Sequence, residues 1–101
     1  MIKVSVMYAN EDGRKFDWDY YLNKHLVMVH QRLDPLGLLR SEVDKAADPA
    51  SPFVAVGHLV FDSLEDCHKS FFDPTHGAAI AADVVNYTDT SAQMQISEIV
   101  K

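Results

Sequence analysis

Phe53-Val54-Ala55-Val56-Gly57-His58-Leu59-Val60-Phe61 is the stretch on which the fold turns. Side chains along a strand alternate between two faces, and here both faces are apolar. Phe53, Ala55, Leu59 and Phe61 share one; Val54, Val56 and Val60 share the other. The pattern predicts a central strand with something packed against each side.

Working back from it, Leu38 to Ala46 mixes apolar and charged residues in near-alternation and reads as an edge strand, and Asp34-Pro35-Leu36-Gly37 reads as a helix stop. Before that stop, Asp17 to Leu33 is predicted to be one amphipathic helix. Asp17 is its N-cap, and Phe16 and Tyr21 occupy the two positions of a hydrophobic staple. At about 100° per residue, Trp18, Tyr21, Leu22, Val29 and Leu33 fall on one apolar stripe, and His25 projects from near its middle. Ile2 to Tyr8 alternates as a half-buried strand.

Working forward, Ser63 followed by Asp66 forms a capping signal, and Leu64, Cys67, His68, Phe71 and Phe72 give a second amphipathic stripe. Asp73-Pro74-Thr75 interrupts it, a short Ala-rich helix follows from about His76 to Val85, and Asn86-Tyr87-Thr88-Asp89 turns the chain. Ala92 to Val100 alternates as a last strand.

The order is βαββαβ, which predicts an α+β ferredoxin-like sandwich: a four-stranded antiparallel sheet with both helices on one face. That layout leaves the second apolar face of Phe53–Phe61 uncovered, and a homodimer packing two sheets face to face would cover it. By parity Ile2, Val4, Val6, Ala55, Leu59, Phe61, Met94 and Ile96 face the helices. Ser5, Met7, Val54, Val56, His58, Val60, Gln95 and Ser97 line the open face. A mostly apolar cavity into which a few polar groups point is the usual form of a small-molecule site.

Composition narrows the partners. A chain of 101 residues has room for one core, so residues 1–101 are expected to form a single domain. A net charge of −6 with scattered basic residues argues against nucleic acid and anionic membrane surfaces. Met1-Ile2-Lys3 runs directly into a strand pattern, so a cytoplasmic location is expected. Cys67, the one cysteine, reads as buried filler.

Three segments carry a family resemblance: Tyr20-Tyr21-x-x-x-His25, Gly57-His58-Leu59-Val60-Phe61-Asp62-Ser63, and Asn86-Tyr87-Thr88-Asp89 with Gln95-Ile96-Ser97-Glu98. Together, over nearly the whole chain, the sequence resembles the small EthD-like family of the dimeric α/β-barrel superfamily. The resemblance implies the ferredoxin-like fold and a homodimer whose two sheets form a barrel. It also brings an association with oxidative ether degradation, and members that are labelled reductases or resemble small cyclases and dehydratases. Where the family pattern has His-x-Pro, this chain has His25-Leu26-Val27. The missing Pro predicts a helix running smoothly past His25.

For His25 two readings stand: a buried histidine satisfied by its neighbours, or an acid/base held near neutral pH by partial burial. Tyr21, one turn earlier, is either the staple residue alone or a phenol that bonds a substrate oxygen. His58, with Ser5 and Gln95 on its strand face, would bond a substrate carbonyl or be satisfied by those neighbours. His76 would line the cavity or cap a helix. His25 and His30 are about 140° apart on a regular helix and cannot share a metal, so no metal is expected. With no Gly-rich dinucleotide loop after a strand and no flavin signature, no cofactor is expected either. The resulting expectation is cofactor-independent acid/base chemistry on an apolar oxygenated or aromatic compound. Catalysis is assigned to His25, Tyr21 and His58, and ligand binding to Ser5, His76 and Gln95. The alternative is a non-catalytic binder serving an oxidative system.

Overall fold

A computed structural model describes residues 1–101. Strands β1 (Ile2–Ala9), β2 (Leu38–Lys45), β3 (Phe53–Phe61) and β4 (Ala92–Glu98) form one sheet in the order β2-β3-β1-β4, and every neighbouring pair is antiparallel. This is the ferredoxin-like arrangement, with Phe53–Phe61 central as its two apolar faces require. The helices α1 (Trp18–Tyr20), α2 (Leu26–Leu33), α3 (Leu64–Lys69) and α4 (Pro74–Asp83) supply one layer. No helix is long and apolar enough to cross a membrane.

Local chemistry starts and stops these elements. The Asp17 carboxylate accepts the Tyr20 backbone N–H at 3.0 Å, and the Phe16 and Tyr21 rings meet at 5.1 Å across the cap. Gly37, at φ 114°, ends the Asp34–Leu36 turn in a left-handed conformation that suits glycine. Ser63 accepts from the Asp66 N–H. Pro74 opens α4 rather than interrupting a helix, because Asp73 caps it by accepting the Thr75 and His76 N–H groups.

The predicted smooth helix from Asp17 to Leu33 is corrected. Tyr21–His25 is a π-helical turn between α1 and α2, closed by the Leu26 N–H donating to the Tyr21 carbonyl. The wider turn realigns the helix so that Tyr21, His25, Val29 and Leu33, spaced four apart, are the buried positions. It also turns Leu22 outward to 45% exposure, although a regular helix would have placed it on the stripe.

Register bears out the parity along Ile2–Tyr8: Val4 pairs with Leu59 and Ile96, and Ser5 pairs with His58 and Gln95. A bulge opposite Tyr8 and Ala9 breaks it at the start of β3, where Val54, expected on the open face, packs instead with the buried cluster of Tyr8, Tyr21, Ala55 and Tyr87. Val4, Leu59 and Phe61 pack with Val29, Leu33, Cys67, Phe71 and Ile80 in the main core. Burying a side chain such as Phe61 completely is worth about 1.5–3 kcal/mol. The edge strand β4 gains less from the helices: Met94 and Ile96 lie on the helix face but remain 48% and 43% exposed.

Candidate functional site

The π-turn delivers Tyr21 and His25 to the space between helices and sheet, where the second buried cluster, built on Tyr8, Tyr21, Ala55 and Tyr87, adjoins the main core. The imidazole of His25 is 4% exposed and lies face to face with the Tyr21 ring, centroids 5.5 Å apart. Nδ1 of His25 is 2.9 Å from Oδ2 of Asp83, the last residue of α4. A carboxylate only accepts, so Nδ1 carries the proton and Nε2 presents a lone pair. Nε2 has a single long contact, 3.4 Å to the Tyr87 hydroxyl, which in turn is 2.6 Å from the Tyr8 hydroxyl. Asp83 is held from its other oxygen by the Tyr20 hydroxyl at 2.7 Å and the Asn86 amide at 2.9 Å.

Burial lowers the pKa of His25 below its ordinary value, and the bond to Asp83 only partly offsets this. The imidazole is therefore neutral at neutral pH. For Asp83 burial pulls upward most strongly among single influences, but the bonds from Tyr20, Asn86 and His25 together outweigh it and lower its pKa. Tyr21 is pushed far up, first by burial and then by Tyr8, so its phenol stays protonated. Tyr8 acts on that hydroxyl by its charge and by hydrogen bonding, and its own hydroxyl also lies 2.6 Å from that of Tyr87.

Tyr21 and His25 border a pocket of about 40 Å³, floored by Val6, Gly57 and Leu59 and closed by Leu26, Val29, Phe71 and Ile80. Gly57 is what admits the phenol: a Cβ there would overlap the Tyr21 hydroxyl. The pocket thus contains a neutral base and a protonated hydrogen-bond donor in apolar surroundings, which is the equipment for moving a proton at a carbon or oxygen next to a polarised C–O group.

The other sequence-derived candidates are elsewhere. A cavity walled jointly by His25 and by Ser5, His58 and Gln95 does not form, because strand alternation sends the latter three to the opposite face of the sheet from the helices. On that face Ser5 Oγ is 2.8 Å from His58 Nδ1, and His58 Nε2 is 2.8 Å from Asp44 Oδ2, a chain of bonds across β1, β3 and β2. Gln95 is exposed and donates to Ser97 Oγ at 3.0 Å. His76 sits in the first turn of α4, its ring 3.4 Å from Arg32 Nη1, and borders none of the pockets. Sequence reasoning missed Asp83, Tyr87 and Tyr8. The available signal was the four-residue spacing of Asp83 and Tyr87 where the Ala-rich helix ends.

Comparison with known proteins places the chain in a family. No curated protein matches the chain. Among solved structures, an EthD-like protein of Ralstonia eutropha JMP134 is similar at 39% identity and a TM-score of 0.85, over 99% of this chain and 92% of that one. Two others share the fold alone. SnoaB, a cofactor-independent oxygenase of Streptomyces nogalater, is 7% identical over 99% of this chain and 93% of that one, with a TM-score of 0.70. A dimeric protein of ferredoxin-like fold from Bacteroides fragilis NCTC 9343 is 18% identical over 97% and 95%, with a TM-score of 0.54. The family model described as EthD domain matches residues 13–91, so the chain belongs to the EthD domain family.

Proposed function

We propose that this EthD-domain protein binds a small oxygenated, mostly apolar molecule and moves a proton on it with its own side chains. His25 is the base and Tyr21 the hydrogen-bond donor to the substrate oxygen. The observation that carries this is the His25 Nδ1–Asp83 bond beside the Tyr21 phenol in an otherwise apolar pocket. In the step, a C–H bond next to a carbonyl breaks, its proton passes to His25 Nε2, and its electron pair becomes the C=C of an enolate. The negative charge moves to the oxygen, where the Tyr21 hydroxyl donates to it. If the proton on Nε2 exchanges with water before a proton returns to the carbon, the result is isotope exchange. If it passes instead to a departing β-hydroxyl, which leaves as water while the enolate electrons form the C=C, the result is dehydration. His58 and Ser5 have no part in it; they belong to the open sheet face, which we assign to a homodimer.

Exchange of ketone α-protons is the simplest form of this reaction. In D2O, 2-butanone followed by proton NMR is expected to lose its α-proton signals faster with the protein than with buffer alone. His25→Gln is expected to slow that exchange by roughly 10²-fold or more. Exchange no faster than with an equal concentration of free imidazole rejects the proposal. A non-catalytic ligand carrier is the second reading, favoured by the contact that Nε2 already makes with Tyr87. It gives saturable binding without exchange.

A further inference from the structure

The His25 pocket is too small for the whole of such a ligand. Its volume of about 40 Å³ suits roughly three water molecules, whereas a cavity that encloses benzene is about 150 Å³. Only the oxygen-bearing end of a ligand enters, and the rest must lie elsewhere. Phe71 and Ile80, which close the pocket on one side, also border a groove of about 380 Å³ between α4 and β4. Pro74, Ala78, Ala81 and Met94 form much of its apolar wall. Ala78 and Ala81 present small exposed side chains on α4, and Met94 is one of the two apolar β4 residues that the helices leave half-exposed. The cleft beyond Leu26 is walled by Leu22 and Val27 but also by His30, Gln31, Asp34 and Ser41, so polar groups make up more of its wall than in the α4–β4 groove, which is the better match for hydrocarbon. Tyr21, 3% exposed, has its hydroxyl over Gly57 on the pocket floor and marks where the polar end stops.

We infer that the ligand is a two-part molecule. A carbonyl, enol or other small oxygen function sits against Tyr21 and His25, and a hydrocarbon body crosses Phe71 and Ile80 to lie in the α4–β4 groove. This rests on the small-molecule reading above and adds the class of compound.

A series of methyl ketones from 2-butanone to 2-octanone tests it, with binding to the intact protein measured by calorimetry and α-proton exchange by NMR. Affinity is expected to rise about fourfold for each methylene that reaches the groove. Ala81→Phe, which fills the groove from an exposed helix position, is expected to abolish that gain while leaving 2-butanone binding and exchange unchanged. If 2-butanone binds and exchanges but affinity is flat with chain length, or rises equally in Ala81→Phe, the groove is not the site of the body and the proposal falls alone. If no ketone of the series binds, the proposal falls together with the small-molecule reading.

Discussion

His25 Nδ1 and Asp83 Oδ2 lie 2.9 Å apart although the two residues are 58 positions apart in the chain, and this bond decides which nitrogen of the imidazole is the base. Asp83→Asn tests the relationship. An amide can turn its NH2 toward Nδ1 and favour the other tautomer, leaving the N–H on Nε2, where a base is needed. Exchange of 2-butanone is expected to fall at least tenfold, while the Tyr20 hydroxyl keeps an acceptor in the amide oxygen and the fold survives. Unchanged exchange with normal circular dichroism removes Asp83 from the mechanism.

Gly57 and Tyr21 make a second coupled pair. A Cβ at position 57 overlaps the phenol oxygen, while the next atom, Tyr21 Cζ, is at an ordinary 3.7 Å. Gly57→Ala is therefore expected to cost about 1–3 kcal/mol of stability through overpacking. Adding Tyr21→Phe removes the one atom in conflict, so the double variant should recover most of that loss in a denaturant titration. Additive losses in the double variant contradict the assigned contact.

Much of this arrangement is legible in the sequence, and the illegible part has a physical cause. The cap at Asp17, the staple of Phe16 and Tyr21 and the parity of the strands are local patterns, and each is present except where the bulge at the start of β3 turns Val54 toward the helix layer. That parity already separates His58 from the helix layer, so assigning His58 and His25 to one cavity conflicts with the sheet's own alternation. The π-turn at Tyr21–His25 has no Pro or Gly to announce it. Asp83, Tyr87 and Tyr8 meet His25 only through tertiary packing, which periodicity does not encode.

The burial that keeps His25 neutral makes stability depend on pH. Its folded pKa lies below the ordinary 6.5, so on acidification the unfolded chain takes up a proton before the folded one does. The stabilising contribution is complete above about pH 6.5 and is lost as pH falls toward the folded value. Thermal unfolding from pH 7.5 to 5 should show a larger drop in Tm for the natural protein than for His25→Gln, which has no imidazole to charge. Parallel Tm curves for the two proteins would rule this assignment out.

The open sheet face supplies the last test. Met7 and Val56 present apolar side chains there around the Ser5–His58–Asp44 chain of bonds, and no element of the same chain is layered over them. If two copies pack these faces together, the contact is two-fold symmetric and any substitution enters it twice. Val56→Lys suits this purpose, because within one chain position 56 pairs across the sheet with Asp44, so the new ammonium has a carboxylate beside it and the monomer fold is spared. In the dimer the same ammonium is desolvated at both symmetry-related positions, a cost of about 3 kcal/mol or more and thus roughly a 10²-fold weaker association. Analytical ultracentrifugation at micromolar concentration should show a dimer for the natural chain and a folded monomer for Val56→Lys. A natural chain that sediments as a monomer, or a variant that stays dimeric, means that this face is not the interface.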